Sequence, residues 1–191
     1  MISNAQITQI QLAYAAGQLD AAIAASAGVS LATVKRVRTR LGLETHCVTA
    51  QRGRHGEEVV AQAARTRGLK VEWRAHDTEK YDLLVSGLRV DVKTATQQVD
   101  GTWKFRLPRM RASFGAQYWY PKDYAADSEV IVLCCLYPDA REPDLYMLSS
   151  TGLPGTVRII AGVSHLTAQE DWSLLTVPSP LPLLPVLPLS A

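Results

Sequence analysis

Residues 81–93, with the sequence YDLLVSGLRVDVK, constrain the fold more than any other part of the chain. Two runs of strand-forming residues, YDLLV and LRVDVK, flank the pair Ser86-Gly87, which suits a two-residue turn. The segment is therefore predicted to be a β-hairpin. With that turn the opposing pairs are Val85 with Leu88, Leu84 with Arg89, Leu83 with Val90, and Asp82 with Asp91.

This register places two acidic side chains, Asp82 and Asp91, opposite each other. Because side chains alternate between the faces of a strand, both aspartates and Lys93 share one face, and the apolar residues between them share the other. Like charges that face each other are unfavourable by roughly 0.2–1 kcal/mol at a surface, and by more in a dehydrated site. A bound cation would remove this repulsion.

Two carboxylates and the main-chain carbonyl of Val92 form an all-oxygen ligand set of the kind that Mg²⁺ or Mn²⁺ prefers. Lys93 adds an ammonium that can hold or activate an attacking water, a combination typical of phosphodiester hydrolysis. A surface hairpin in which Lys93 merely neutralises Asp91 is the alternative interpretation of the same residues.

Residues outside the hairpin extend the pattern. The chain resembles the PD-(D/E)xK nuclease superfamily, the restriction-endonuclease-like fold, in three features: GxxxE at 53–57, Asp82, and VDVKTA at 90–95. The resemblance covers about residues 52–149, and Tyr81 stands where the family motif has proline. It implies an α/β fold with a mixed β-sheet core flanked by helices.

The resemblance also implies roles for individual residues. Asp82 and Asp91 would bind one or two Mg²⁺ or Mn²⁺ ions together with the Val92 carbonyl, and Lys93 would be the catalytic lysine. Glu57 would be the helix carboxylate that completes the catalytic set, through the metal or through water.

Glu57 is preferred to Glu58 for this role on the basis of helix periodicity. Positions three, seven and eleven after Glu57 are apolar or glycine, whereas the face that follows Glu58 includes Arg65 and is more solvated. An acidic residue that only stabilises the helix dipole is the alternative interpretation.

The first 43 residues show a different pattern. Helices are predicted at 7–16, 19–27 and 31–41, with Gly28 in the turn before the third helix and Ser30 as its cap. Val34, Val37 and Leu41 are predicted to point inward. The stretch DAAIAASAGVSLATVKRVRTRLGL resembles the helix-turn-helix of bacterial regulators and site-specific recombinases. The alternative is a small helical bundle with a solvated basic face.

This second resemblance implies that the third helix enters the major groove of DNA. Basic side chains there would reach phosphates or guanine edges. The residues predicted to contact DNA are Ser30, Ala32, Thr33, Lys35, Arg36 and Arg40, with Lys104 and Arg106 on a later strand beside the metal site. Charge supports this placement, because residues 1–55 hold six basic and two acidic side chains, a net of +4, in a chain of net charge +2.

The remaining pattern completes the predicted domain organisation: a helix-turn-helix domain at 1–43, a linker at 44–55, a nuclease domain at 56–175 and a proline-rich tail at 176–191. The nuclease domain is predicted to contain a helix at 57–67, a strand at 69–74, a strand at 103–107 that returns after an Asp100-Gly101 turn, strands at 129–137, 144–149 and 156–161, and a terminal helix at 164–175.

These features predict a metal-dependent DNA endonuclease, targeted by a helix-turn-helix and acting in restriction, homing, junction resolution or DNA processing. Double-strand cleavage needs two active sites, so a homodimer is expected. A helix-turn-helix regulator with a catalytically inactive nuclease-like domain is the alternative. The sequence shows no secretory leader or uninterrupted apolar span, and the expected location is the cytoplasm.

Overall fold

A computed structural model describes residues 2–76, 78–112, 117–139 and 141–176. The chain divides into two compact units, Met1–Val59 and Val60–Ala191. The predicted proline-rich tail, apart from Thr176, lies outside the described residues. No helix within the described ranges is both long and apolar enough to cross a bilayer.

The first unit contains α1 (Asn4–Ala15), α2 (Asp20–Ala27) and α3 (Leu31–Arg40), followed by the start of α4 (Val48–Thr66). Helix α1 begins three residues before the predicted start because Ser3 and Gln6 form a reciprocal capping box, which satisfies two free N–H groups at the helix end. Apolar side chains of the first three helices share one core: Ile10, Ala13, Ile23, Ala24, Ala27, Val34 and Val37.

The turn into α3 follows the prediction. Gly28 adopts φ 61°, in the left-handed region, and the Ser30 hydroxyl accepts the N–H of Thr33 at 3.2 Å. The prediction that Leu41 points inward is wrong, since its side chain is 37% exposed. Helix α3 ends at Arg40, so the helical periodicity no longer sets the direction of Leu41.

Helix α4 begins at Val48, within the stretch predicted to be a linker and nine residues before the predicted helix start at Glu57. The Gln51 side chain donates to the Thr45 carbonyl at 2.7 Å, and Arg54 pairs with Glu58 one turn later at 3.0 Å. Polar contacts thus stabilise a helical turn that lacks a clear apolar stripe, which is why the sequence pattern did not indicate it.

After the end of α4, the described part of the second unit contains nine strands and one short α-helix, besides two 3-10 turns near its end. In chain order they are β1 (Val71–Trp73), β2 (Leu83–Val85), β3 (Leu88–Thr96), β4 (Thr102–Arg106), β5 (Met110–Ala112), β6 (Trp119–Pro121), α5 (Tyr124–Asp127), β7 (Val130–Leu136), β8 (Asp144–Ser149) and β9 (Thr156–Ile160).

Five of these strands form a mixed sheet in the order β1-β2-β3-β7-β8, as predicted for the fold class. Strand β3 runs parallel to β7, and the other neighbours are antiparallel. Strand β7 is buried and lies inside the sheet, between β3 and β8, as its continuous apolar sequence predicts. Its side chains pack in a core with residues from β4, β8 and β9.

The hairpin register is confirmed for the three pairs within β2 and β3: Leu83 opposes Val90, Leu84 opposes Arg89, and Val85 opposes Leu88. Ser86 and Gly87 have φ angles of 51° and 85°. Two consecutive positive φ values characterise the type I′ turn, whose twist matches that of the flanking strands.

Strand β4 differs from the prediction in its partner. It follows the Asp100-Gly101 turn and buries Trp103 and Phe105, but it pairs with β9 in a separate two-stranded sheet rather than returning along β3. Alternation of apolar and polar residues along one strand predicts which of its side chains are buried. Which strand it pairs with depends on the packing of other parts of the chain.

The predicted terminal helix at 164–175 is also wrong. Two short 3-10 turns, Leu166–Ala168 and Trp172–Leu175, occupy this stretch. His165 and Glu170 adopt φ angles of 55° and 53°, which an α-helix does not accommodate. The backbone therefore leaves the helical conformation at two positions where a continuous helix was expected.

Candidate active site

Asp82 lies directly before β2, and its carboxylate is bound on both sides. One oxygen accepts the backbone N–H of Val92 at 2.9 Å, and the other accepts Nη1 of Arg74 at 2.8 Å. The Asp82 N–H donates to the Val90 carbonyl at 2.9 Å. In a regular antiparallel ladder the Val92 N–H would donate to a backbone carbonyl of the neighbouring strand. Here it donates to the Asp82 side chain, and this hydrogen bond holds the carboxylate against β3, the strand that carries Asp91.

Asp91 projects from the middle of β3 and is only 3% exposed. The Lys93 ammonium pairs with its Oδ1, and Nζ of Lys122 lies 3.1 Å from its Oδ2. Lys93 Nζ is also 3.5 Å from the carbonyl oxygen of Val92. The structure therefore brings together the four sequence-predicted residues of the hairpin, from Asp82 to Lys93, and adds Lys122.

The two aspartates differ in their electrostatic environment. Burial raises the pKa of Asp82, and the negative charge of Asp91 raises it further. Burial also acts to raise the pKa of Asp91, but the positive charges of Lys93 and Lys122 outweigh it and hold that pKa below its usual value. Asp91 is therefore the more readily ionised carboxylate of the pair.

Lys122 was not identified from the sequence. It follows β6 and lies 31 positions along the chain from Asp91. Its ammonium stands 4.1 Å from the centroid of the Tyr124 ring, and its side chain is 13% exposed. Burial lowers the pKa of Lys122, and the positive charge of Lys93 lowers it further. No spacing rule connects such distant residues, so only the tertiary structure identifies this contact.

A second buried carboxylate, Asp127 on α5, has a different set of partners. It accepts Nη2 of Arg111 at 2.6 Å and pairs with Nζ of Lys80 at 3.3 Å. Arg111 also lies over the ring of Tyr120, 5.9 Å from its centroid. Asp127 thus anchors the β5–β6 pair to the body of the second unit.

Glu57, the remaining residue of the predicted catalytic set, lies on α4 within the first unit and is half-buried. Its assignment to the site stays a prediction.

The oxygens of Asp82, Asp91 and the Val92 carbonyl form a set that matches the preference of Mg²⁺ or Mn²⁺ for hard ligands. Among the residues described, no three His, Cys, Asp or Glu side chains cluster as a metal site. A metal at the hairpin would therefore have two carboxylates and one carbonyl, with water or substrate oxygens as further ligands. A divalent cation bound there would have to compete with Lys93 and Lys122, which already pair with both oxygens of Asp91.

The predicted DNA-contacting residues of α3 are arranged along its outer side. Lys35, Arg36 and Arg40 are exposed, and Ala32 and Thr33 are half-buried. The remaining arginine of this helix, Arg38, has a structural role, since its Nε lies 2.7 Å from Asp20 of α2 and its Nη1 donates to the Leu43 carbonyl.

Ser30, at the start of α3, is exposed and its hydroxyl lies 2.9 Å from that of Thr33. Arg36 in turn donates to the Thr33 hydroxyl at 3.3 Å. On β4, Lys104 and Arg106 are exposed on the face opposite the buried aromatic residues, as predicted.

The fold is similar to that of a solved structure titled as a bacterial homing endonuclease, I-Ssp6803I. The similarity covers 66% of this chain and 92% of that chain, with a TM-score of 0.53 and 15% sequence identity. No protein-family model matches the chain, and a search of curated proteins finds no match either. The chain therefore has a mixed α/β, endonuclease-like fold.

Proposed function

We propose that this protein is a metal-dependent DNA endonuclease that hydrolyses phosphodiester bonds. The observation that carries the proposal is the convergence of Asp82, Asp91 and Lys93 on one hairpin. The fold shared with a homing endonuclease supports a DNA substrate. Restriction, homing, junction resolution and DNA processing are the candidate contexts.

In this proposal Asp82, Asp91 and the carbonyl of Val92 hold Mg²⁺ or Mn²⁺, and Glu57 completes the catalytic set. The chemistry that such an ion supplies when bound is polarisation of the scissile phosphate and a lower pKa of the attacking water. The hydrogen bond from Val92 to Asp82 keeps the first carboxylate oriented, so little reorganisation is needed at the moment of reaction.

Lys93 is proposed as the catalytic lysine. Its ammonium is only partly exposed and contacts both Asp91 and the Val92 carbonyl, so it is held beside the oxygens that define the site. From there it can position the attacking water and offset the negative charge that develops on the phosphate. Hydrolysis would leave a 5′-phosphate on the product.

Targeting is proposed to come from the first unit. Helix α3 would enter the major groove through Ser30, Ala32, Thr33, Lys35, Arg36 and Arg40. On the second unit, Lys104 and Arg106 would bind phosphates near the cleavage site. A homodimer would supply the two active sites that a double-strand cut needs.

One observation favours a second candidate, a DNA-binding regulator with an inactive nuclease-like domain. Both oxygens of Asp91 are already neutralised by lysines, so the cluster is electrostatically satisfied by the chain's own residues. Such a cluster would be stable without performing catalysis.

Cleavage assays separate the two candidates. Supercoiled plasmid, linear duplex, single strand and a four-way junction would be incubated with Mg²⁺ or Mn²⁺ and the wild type or Lys93→Ala. Lys70→Ala is the charge-matched control, because exposed Lys70 pairs only with Glu72 among the described acidic residues. We expect Lys93→Ala to lose about 100-fold or more in cleavage rate, while the control retains it. Binding by the wild type without cleavage of any substrate would support the regulator instead.

A further inference from the structure

A second lysine, Lys122, reaches the site from the end of the β5–β6 pair. Met110 opposes Pro121 in this ribbon, and the Lys122 N–H extends the ladder by donating to the Arg109 carbonyl at 2.9 Å. The Lys122 side chain then turns inward, with Nζ 3.1 Å from Asp91 Oδ2. A lysine contributed from outside the hairpin thus shares the Asp91 carboxylate with Lys93.

The positive charges around the two aspartates exceed the negative ones. Asp91 pairs with Lys93 and Lys122, and Asp82 pairs with Arg74, so three cationic side chains surround two carboxylates. A divalent cation that approaches this cluster meets a net positive charge and an Asp91 with both oxygens occupied. Buried charges interact more strongly than exposed ones, because little water lies between them.

We propose that the Lys122 ammonium competes with the divalent metal ion for Asp91 and keeps the affinity of the site for metal low until DNA binds. The inference rests on the proposed nuclease function. Phosphates of the bound DNA would offer the ammonium another anionic partner. Asp91 Oδ2 would then become available as a ligand, so that metal and DNA bind cooperatively.

Lys122 is better suited to this exchange than Lys93. Lys93 lies on the same central strand as Asp91, two residues away, so the backbone of β3 fixes their separation. Lys122 instead follows a ribbon whose two strands, among the strands described, pair only with each other. Its ammonium also stands 4.1 Å from the Tyr124 ring centroid, and this cation–π contact stabilises the charge when it leaves the carboxylate.

The test measures Mn²⁺ binding to the full chain without DNA, by isothermal titration calorimetry. Lys122→Met removes the competing charge, Lys122→Arg keeps it, and Lys80→Met makes the same charge change at Asp127 rather than Asp91. We expect Lys122→Met to bind Mn²⁺ about tenfold more tightly, equivalent to about 1.4 kcal/mol. Lys122→Arg and Lys80→Met should bind like the wild type.

The Mg²⁺ dependence of cleavage provides a second measurement, in which the half-maximal concentration should fall for Lys122→Met. Lys122→Gln serves as a second variant in case Lys122→Met does not fold. The inference would be overturned if the folded variant bound Mn²⁺ no more tightly than the wild type. If the wild type still cleaves DNA in that case, only the role of Lys122 is rejected. If the wild type cleaves nothing and binds no Mn²⁺, the proposed function is rejected with it.

Discussion

The Asp82 carboxylate accepts the backbone N–H of Val92 at 2.9 Å, which joins one candidate ligand to the strand that carries Asp91 and Lys93. The geometry of the site therefore depends on a hydrogen bond as well as on the hairpin turn. Loss of this acceptor would leave a buried donor unsatisfied.

Substitutions of Asp82 should separate this structural role from the chemical one. Asp82→Asn keeps an acceptor for Val92 but removes the charge, whereas Asp82→Ala removes both. We expect both variants to lose cleavage, and Asp82→Ala to be less stable than Asp82→Asn by about 1–2 kcal/mol. Urea denaturation and plasmid cleavage measure the two effects. Equal stabilities would show that the Val92 hydrogen bond contributes little.

Asp91 should be energetically coupled to Lys122. Removing one partner of a largely buried ion pair leaves the other charge uncompensated, so Asp91→Asn should destabilise the protein by about 3–5 kcal/mol. In that background Lys122→Met should cost less than it does in the wild type, or be stabilising. A double-mutant cycle from urea denaturation measures the coupling. Additive effects would contradict direct pairing in solution.

The hairpin turn should be sensitive to its backbone conformation. A Cβ at Gly87 would meet open space, so the cost of Gly87→Ala arises from its φ of 85° rather than from a clash. We expect a loss of about 1–2 kcal/mol. Gly155→Ala is the matched control, because its Cβ also meets open space and its φ lies outside the left-handed range. Similar losses for both variants would argue against a left-handed Gly87.

Glu129 should make stability depend on pH. A hydrogen bond from the Arg89 side chain lowers the pKa of Glu129 below its ordinary value of 4.5. The resulting stabilisation is complete above the unfolded-state pKa and is lost as pH falls through the folded-state pKa. Because the pair is substantially exposed, Glu129→Gln should cost only about 0.5–1 kcal/mol at neutral pH.

Urea denaturation at neutral pH and at about pH 3 tests this dependence. The difference between wild type and Glu129→Gln should shrink in acid. Glu142→Gln, at an exposed glutamate with no ion pair among the described residues, is the control. A difference that stays constant with pH would mean that the charge of Glu129 is not responsible.

Two arginines of α3 should have separable roles. Arg38→Ala removes the largely buried pair with Asp20 and should destabilise the first unit by about 1–3 kcal/mol. Arg36→Ala changes an exposed side chain and should leave the unfolding temperature unchanged while weakening DNA binding. Fluorescence anisotropy gives the binding constant for DNA over a range of salt concentrations. If Arg36 contacts a phosphate, the plot of log binding constant against log salt concentration should have a slope smaller by about one for Arg36→Ala. An unchanged slope would remove Arg36 from the phosphate contacts.

Features that depend on nearby residues were predictable from the sequence. The type I′ turn at Ser86-Gly87 determines the register of β2 and β3, and that register brings Asp82 close to Asp91. Alternation along β4 correctly predicts that Trp103 and Phe105 are buried. In each case the sequence pattern that carries the prediction spans only a few neighbouring residues, so local conformational preferences suffice.

Features that depend on distant residues were decided only by the tertiary structure. The contact of Lys122 with Asp91 requires the β5–β6 pair to fold against the sheet, and the pairing of β4 with β9 joins segments about fifty residues apart. Sequence periodicity shows which face of a strand is buried but not which strand covers it, because the partner depends on the packing of the whole unit. The sequence by itself thus determined the hairpin and its paired aspartates, whereas the tertiary structure decided that a second lysine reaches Asp91 and leaves the cluster with a net positive charge.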